Sequence, residues 1–476
     1  MAYNFIAVDR DQLLLMPVSV SEWLPEDHLG WFVLDVVGEL DLTDFMAVYR
    51  EDGRGGAAFH PAMMVALLVY AYCVGERSSR RIQRRCVEDV AFRVVAANHA
   101  PDHATIARFR VTHQDALAGL FAQVLVLCQR AGMIRPGLVA VDGTKLAANA
   151  SRDANRTAEQ LAKEILEEAA SIDAAEDDQL GEASGSELPE EMAPKGRRGR
   201  LRALLDELKA EAAAKSYQAH VQRRAAQEAA TGRRMRGRPP QPGGPTHRSR
   251  QHANTTDPDS RLMKTKDGYV QGYNAQAAVT ADQVIVAASV TNSSHDAASF
   301  GPVLEQTKSN LRHAGSRRRV RTVVADAGYW SNDNAATAGV EAIIAPGKAR
   351  NLDQITVADQ QRSQILDGIE RGEISKPEAA ERLGVSRTRI NDLLRQRRQG
   401  SPETLTTAMV AKLSTPRGRR LYRQRAASVE PVFAHTKHNR GFRTFSRRGL
   451  HAANSEWKLI AATHNLLKLW RQPAPA

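Results

Sequence analysis

Three carboxylates carry the chemistry that this chain's residue types and spacing could perform. Asp142 closes the apolar run Leu138–Asp142 in Val141-Asp142-Gly143-Thr144, and Asp326 closes Val320–Asp326 ahead of Ala327-Gly328-Tyr329. Both runs are short and β-branched, the pattern of buried strands, so each acid is expected at a strand end. If the strands are neighbours in one sheet, both carboxylates emerge at the same edge. The third acid, Glu430, lies in Tyr422-x-x-Arg425-x-x-x-x-Glu430-x-x-x-x-x-x-Lys437. On a helix Arg423, Glu430 and Lys437 fall on one stripe, with Tyr422 and Arg425 bordering it. Hard oxygen ligands of this kind hold Mg²⁺, which takes a few carboxylates plus substrate phosphates, with Mn²⁺ as its substitute. Two such ions about 3.5–4 Å apart can activate an attacking oxygen and stabilise a leaving one in phosphodiester chemistry. Arg425 and Lys437 would bring positive charge to a DNA strand without needing to titrate. Taken singly, each acid also has a plainer reading. Asp142-Gly143 is a common turn, Asp326 could cap the next turn, and Glu430 could form a salt bridge. The ordered set favours the metal reading.

Further strands are needed to position these acids. Gly268–Thr280 and Gln283–Thr291 read as a hairpin joined by Ala281-Asp282, and Ala342–Ala345 as a short fifth strand. Residues 1–135 read as helical and compact, with Pro61 in the first turn of a strong helical stretch. The basic cluster Arg77, Arg80, Arg81, Arg84 and Arg85 follows; Arg77, Arg81 and Arg84 or Arg85 are expected on one helix face. Arg108 and Arg110 come after Pro101-Asp102-His103-Ala104-Thr105-Ile106. These arginines read either as a solvated face or as phosphate contacts.

Residues 151–255 change character, with few large apolar side chains. A helical segment at Thr157–Ala170 runs into an acidic patch (Asp173, Glu176, Asp177, Asp178, Glu182, Glu187), then a second helix covers about Arg200–Ala230 until Pro239–Pro245 breaks it. This is the composition of exposed helices and linker rather than core, and the acidic patch reads as solvated linker. Arg236-Gly237-Arg238-Pro239-Pro240 has the form of an AT-hook core, whose arginines could enter a narrow A·T minor groove; a plain basic linker is the alternative. Residues 353–470 are mainly helical and basic. Within them Ile374–Ile390 reads as helix, Gly384 turn and second helix capped by Ser386, with Ala380 small at the crossing. Arg387, Thr388, Arg389 and Asn391 would then face a major groove; a helical hairpin packed on the core is the other reading. His103, His435 and His438 receive no catalytic role, and Trp330 reads as core packing before base stacking.

Composition narrows the classes. The chain has 476 residues, 42% hydrophobic and 25% charged, as in an ordinary globular protein of several domains. Its 66 Lys and Arg against 54 Asp and Glu give a net charge of +12, and the pI is near 9.7. A basic chain of this size is as apt to touch nucleic acid as not. The longest apolar runs stop short of the roughly 18 residues of a membrane span. Asp9, Arg10 and Asp11 precede any apolar stretch, unlike a secretory signal. Cys73, Cys86 and Cys128 lie far apart without a CxxC, which argues against a disulfide scaffold or zinc finger and for a reducing cytosol.

The ordered motifs resemble those of bacterial insertion-sequence transposases of the DDE class. They are Phe59-His60-Pro61; Gly75-x-x-Ser78-Ser79-Arg80; Pro101-Asp102-His103-x-Thr105-Ile106-x-Arg108-Phe109-Arg110; Val141-Asp142-Gly143-Thr144-Lys145; Asp257-Pro258-Asp259-Ser260-Arg261; Gly272-Tyr273-Asn274; Asp326-x-Gly328-Tyr329; and Tyr422 to Lys437 with Gly441-Phe442-Arg443. The resemblance covers most of 1–350 and again 415–470. It implies an α/β fold: an RNase H-like mixed sheet flanked by helices, with an all-α N-terminal domain and helical insertions. It implies that Asp142, Asp326 and Glu430 bind two catalytic Mg²⁺ ions. It also implies that Tyr422, Arg425 and Lys437 complete a Tyr-Arg-Glu-Lys signature contacting the transposon end. The chain departs from the family in having four residues, not three, between Arg425 and Glu430, so Arg425 is displaced or its register differs. The 104 positions from Asp326 to Glu430 leave room for an inserted module.

The expected organisation is a helical DNA-binding and assembly domain over 1–135, the core over 136–150, 256–350 and 416–476, a charged insertion over 151–255 and a helical insertion over 351–415. The implied activity is metal-dependent cleavage and strand transfer on double-stranded DNA, by a homodimer or higher assembly, in a cytoplasmic, nucleoid-associated setting. A transposase relic acting as a DNA-binding regulator, and a nuclease without strand transfer, are the competing readings.

Overall fold

In the computed structural model the described residues are 19–49, 57–157, 160, 161, 163, 164, 167, 197–231, 252–265, 268–346, 361, 362, 364–398 and 402–472. The acidic patch and the Arg236-Gly237-Arg238 segment lie outside them.

The chain opens with helices α1 (Leu29–Glu39), α2 (Pro61–Cys73), α3 (Ser79–Glu88), α4 (Val90–Val95), α5 (His103–Thr112) and α6 (Gln114–Arg130). Proline at the first position of α2 leaves no unpaired N–H there, and the His60 ring accepts the Ala62 amide at 3.2 Å. Met64 to Cys73 are all buried, as in a helix surrounded by others. Ser78 caps α3, Asp89 caps α4 and Asp102 caps α5 through side-chain acceptors. Arg77 precedes the Ser78 cap, so it does not share the helical face with Arg81 and Arg85 that the spacing predicts.

The sheet is built from β1 (Leu138–Ala147), β4 (Arg261–Thr265), β5 (Gly268–Thr280), β6 (Ile285–Thr291), β7 (Thr322–Ala325) and β8 (Glu341–Ile344), while β2 (Asn155–Thr157) and β3 (His252–Asn254) form a separate antiparallel pair. Across the main sheet the order is β6–β5–β1–β7–β8. The β5 strand is antiparallel to β1 and β6, whereas β1, β7 and β8 run parallel. Strand β4 pairs with Gly268–Gly272 of β5, and β6 with Asn274–Val279. This is the mixed sheet flanked by helices expected of an RNase H-like core. Residues Gln271 to Thr280 are buried without alternation. Successive side chains point to opposite faces, so both faces of β5 are covered.

Two strand limits differ from expectation. β1 does not stop at Asp142 but continues to Ala147, because its antiparallel pairing with β5 runs on to Ala147↔Gly272. The hairpin turn takes four residues, with Gln283 at φ 61° and the Thr280 amide bonded to the Val284 carbonyl.

Helices α8 (Phe300–His313), α12 (Pro416–Ala434) and α13 (Leu450–Trp470) pack on the sheet: α8 on β5 and β6, α12 on β1, β7 and β8, α13 on β6. One continuous apolar core runs from α1 through the sheet to α13. The 35-residue helix α7 (Arg197–Thr231) lies in the charged insertion, where Leu204, Leu205 and Leu208 meet Leu161 and Ala253 in a small satellite core.

A second satellite core joins residues 364–370 to α9 (Lys376–Leu383) and α10 (Arg387–Arg398) through Leu366, Ala379, Ala380, Ile390, Leu393 and Leu394. Gly384, at φ 63°, ends α9 in the left-handed conformation that glycine adopts without strain. Ser386 accepts the Arg389 amide at 3.2 Å. The two helices and their turn therefore stand as the sequence pattern predicts, on an apolar core of their own. Helix α11 (Pro402–Ser414) leads from this unit to α12.

Among the described residues no single helix is long and apolar enough to cross a membrane. The three cysteines are buried and unpaired.

Candidate active site

Parallel pairing of β1 with β7 ends at Val141↔Ala325, so Asp142 and Asp326 follow the last paired residues of two neighbouring strands. Beyond that point β7 turns away while β1 continues against β5. The Asp326 carboxylate accepts the Gly328 amide at 2.9 Å and caps the turn Ala327–Tyr329. The plainer capping reading of Asp326 is thus met, with one oxygen engaged by the Gly328 amide. The Asp142 carboxylate accepts the Gly143 amide at 2.8 Å and the Arg425 guanidinium at 2.7 Å.

Arg425 is the centre of this arrangement. From α12 it reaches Asp142 with one NH group and Glu430 with the other, the latter at 3.5 Å. Asp142 and Arg425 are 16% and 17% exposed, Glu430 62%, so one acid is nearly enclosed and the other faces solvent. Burial raises the Asp142 carboxyl to about 7; Arg425 pulls it down, while Asp326 and Asp296 push it further up. Burial likewise raises the Tyr422 phenol, with Arg425 opposing it.

Lys437 lies beyond α12 in a π-helical turn, His435–Asn439, and its ammonium donates to the Lys145 carbonyl at 2.9 Å. Burial and the neighbouring Lys145 and Arg443 lower it from the usual lysine range. The stripe predicted for Glu430 and Lys437 is therefore broken at Ala434, where the wider turn begins.

The sequence reading missed a fourth acid. Asp296, in the loop after β6, accepts the Asn274 amide at 2.6 Å and the Gln276 amide at 3.0 Å, and sits 3.6 Å from the Lys145 ammonium. Gln276 in turn accepts the Tyr329 hydroxyl. Asn274 and Gln276 oppose Lys145 and Gly143 across the β1–β5 ladder, so one sheet face gathers the whole network. Gly143 leaves room for it: a Cβ would lie 2.4 Å from the Gln276 amide nitrogen and 2.8 Å from both Asn274 and Asp296 oxygens, so those side chains would have to move. Asn274, Lys145 and Tyr329 of this network stand in motifs the sequence singled out; Gln276 and Asp296 do not, and Asp296 stands in a loop without periodicity.

The donor chemistry fits a hard divalent cation. Asp142, Asp326, Glu430 and Asp296 supply oxygens, and the buried Asn274 side-chain oxygen has no hydrogen-bond partner. Among the described residues no three His, Cys, Asp or Glu side chains stand at metal-binding spacing. With Arg425 between them, Asp142 and Glu430 do not form a closed cage.

The remaining candidates disperse. Arg80 and Arg108 are exposed, with no ion pair among the described residues, whereas Arg81 pairs with Glu76 at 3.1 Å. Arg77 donates to the Thr444 carbonyl. Arg110 is buried at 6% exposure with its guanidinium over the Tyr72 ring at 5.5 Å, which removes it from the accessible phosphate contacts expected of it. Arg387 and Arg389 are exposed at the start of α10. Trp330 packs against the main core. His103 bonds Gln83, and His438 bonds Arg443.

The architecture is a mixed sheet with helices on it, preceded by a helical region. Residues 241–466 match the Transposase DDE domain and residues 18–112 match a Transposase domain (DUF772). The chain belongs to the insertion-sequence DDE transposases. Strand β1, with Asp142, lies between the two matched spans. No curated protein and no solved structure matches the chain.

Proposed function

We propose that this chain binds the ends of an insertion sequence and performs metal-dependent phosphodiester hydrolysis followed by strand transfer. Asp142, Asp326 and Glu430 are the carboxylates that hold two Mg²⁺ ions, with Mn²⁺ able to substitute. The observation that carries this reading is the departure of Asp142 and Asp326 from adjacent parallel strands at one level, with Arg425 tying Asp142 to Glu430. Divalent metal supplies Lewis-acid stabilisation of the phosphodiester and a lower pKa for the attacking water.

The chain's own residues do the rest. Asp142 would serve as a ligand in its ionised form, which burial opposes and Arg425 favours. Arg425 is the cation its carboxylates hold in the absence of metal, and a DNA phosphate is the partner a planar guanidinium fits next best. Lys437, fixed by the Lys145 carbonyl, and Tyr422 border the same strand path. Water attacks the phosphorus at the element end and breaks its P–O3′ bond, leaving a 5′-phosphate and freeing a 3′-OH. That hydroxyl attacks a phosphodiester of target DNA, forming a new P–O bond as the target's P–O3′ bond breaks and releases a target 3′-OH, and no covalent protein–DNA intermediate is required. Arg387 and Arg389 on α10 supply a major-groove contact, Arg80 and Arg108 backbone contacts. Paired element ends call for a dimer or higher assembly on DNA.

The test is incubation of purified protein with labelled duplex from the DNA flanking its own gene, in Mg²⁺, in EDTA, and with Glu430→Gln. Mg²⁺-dependent nicks at a defined end, lost in the variant and accompanied by joined products, are expected. Nicks without joining would leave a nuclease, and band shifts without nicks a DNA-binding regulator.

A further inference from the structure

The sheet secures Asp326 less firmly than Asp142. Strand β1 continues past Asp142 against β5, and Arg425 holds the Asp142 carboxylate. Strand β7 has four residues, and its pairing on both sides stops at Ala325. Among the described residues the Asp326 carboxylate has one hydrogen bond, from the Gly328 amide of its own turn. A carboxylate that is to bind at one place needs that turn fixed from elsewhere.

Asp296 reaches the turn through buried side chains. Its Oδ1 accepts both the Asn274 amide at 2.6 Å and the Gln276 amide at 3.0 Å. An ionised carboxylate only accepts, so it draws the Gln276 nitrogen towards itself and turns Oε1 the other way. That oxygen accepts the Tyr329 hydroxyl. Gln276 and Tyr329 are 1% and 0% exposed, which keeps bulk water from this chain of bonds. Tyr329 closes the turn Ala327–Tyr329 that Asp326 caps. A second tie runs alongside: the Asn334 side-chain amide donates to the Tyr329 and Ala297 carbonyls, each at 2.8 Å. The two acids flank Gly328, where a Cβ would lie 3.0 Å from Asp326 Oδ1 and 3.2 Å from Asp296 Oδ2. The Lys145 ammonium, 3.6 Å from Asp296 Oδ2, offsets the charge that Asp296 brings beside Asp326.

We infer that Asp296 is a positioning residue for Asp326: through Gln276 and Tyr329 it sets where the Asp326 carboxylate stands, without itself holding metal. The inference rests on the proposed role of Asp326 as a metal-holding carboxylate. Both Asp296 oxygens are already engaged, one by two amides and the other by Lys145. Losing a partner that orients a ligating group costs about 10–100-fold in metal affinity.

The test is Mn²⁺ binding to the whole chain without DNA, read by electron paramagnetic resonance, with circular dichroism confirming that each variant is folded. Asp296→Ala and Tyr329→Phe should each weaken binding by at least about tenfold. Combined, they should lose no more than Asp296→Ala alone, because both cut one chain of bonds. Asp296→Asn keeps an oxygen for the two amides and should bind Mn²⁺ close to wild type. Tyr329→Phe keeps the packed ring, so together with Asp296→Asn it decides the matter should Asp296→Ala fail to fold.

Three results would overturn the inference: wild-type affinity in Tyr329→Phe, additive losses in the double variant, or a loss in Asp296→Asn as large as in Asp296→Ala. The last would make Asp296 act by its charge, as a ligand does. Asp326→Ala separates this failure from that of the underlying reading. If it abolishes Mn²⁺ binding while Asp296→Ala and Tyr329→Phe retain it, the positioning role alone falls. If it binds Mn²⁺ as wild type does, the metal reading of Asp326 falls and takes the role of Asp296 with it.

Discussion

Arg425 occupies the position where three demands meet: a buried carboxylate, an exposed one and the incoming DNA. Its guanidinium offsets the Asp142 charge at 2.7 Å, against a burial that still leaves that carboxyl raised to about 7. Under the proposed function a divalent cation would compete with Arg425 for the same oxygens. Arg425→Met should therefore strengthen Mn²⁺ binding, by about tenfold for each 1.4 kcal/mol of repulsion removed, while weakening binding of the end duplex. Titration of bound Mn²⁺ by electron paramagnetic resonance reads the first effect and a band shift the second. Parallel loss of both would mean that Arg425 merely holds α12 in place. The sequence named Arg425 through the signature, yet its four-residue gap to Glu430 made its placement ambiguous. The gap is harmless here because Arg425 reaches across to β1 and approaches Glu430 with its second NH group at 3.5 Å. Asp296 shows the opposite case. Nothing in its local sequence marks it, since its importance arises from Asn274 and Gln276 on a strand far from it in the chain.

Helix α12 delivers Arg425 and Glu430 only because its end is repaired from outside. Pro431 lies inside it and has no N–H to donate. The Ala427 carbonyl that would have received that bond accepts the Gln283 amide at 3.3 Å from the β5–β6 turn. That turn also receives α13. His464 sits 3.1 Å from the Gln283 carbonyl, and its ring meets His435 edge to face at 5.3 Å. Burial lowers both imidazoles, to about 3 for His464 and about 4 for His435, with Arg440 and Lys468 adding repulsion. The folded state keeps both neutral, so their contribution is fully present above the unfolded value near 6.5 and is lost as pH falls towards 4. The slope is at most about 1.4 kcal/mol per pH unit for each ring. His464→Gln should flatten this loss between pH 6.5 and 4, seen in urea midpoints against wild type at each pH. Identical slopes would show that other groups set the acid limit. The sequence identified five of the main sheet's strands, the hairpin and the two helices on either side of Gly384, because apolar period, glycine and cap residues are local signals; it missed β4. It did not reveal the extension of β1 to Ala147 or the π-helical turn after Ala434, both of which tertiary partners impose.

At the scale of the molecule, the helical N-terminal region and the catalytic sheet share a single core, and one arginine joins their seams. Arg440 is 5% exposed, donates to the Tyr72 carbonyl at 2.9 and 3.3 Å and to the Ile460 carbonyl at 3.1 Å, and bonds the Thr463 hydroxyl. Its guanidinium lies 4.7 Å from the Phe442 ring centroid. It thus links the end of α2 to α13 with no acidic partner among the described residues, its charge held by carbonyl dipoles and a ring face. Burial lowers its pKa to about 10, so it remains charged at neutral pH. Arg440→Met keeps much of the apolar volume but strands the carbonyls, and should cost about 3–5 kcal/mol. Because the core is continuous, that loss should move the unfolding of the N-terminal helices and of the sheet together. Hydrogen exchange on α2 and on β5, followed through guanidinium denaturation, reads each separately. If only α2 shifts while β5 keeps its midpoint, the helical region is an independent domain docked on the catalytic core, and end binding can be severed from cleavage by removing it. If both shift as one, the helices carrying Arg80 and Arg108 and the carboxylates that follow β1 and β7 belong to one cooperative unit, and DNA bound at those arginines as proposed would be held in a fixed place relative to the carboxylates.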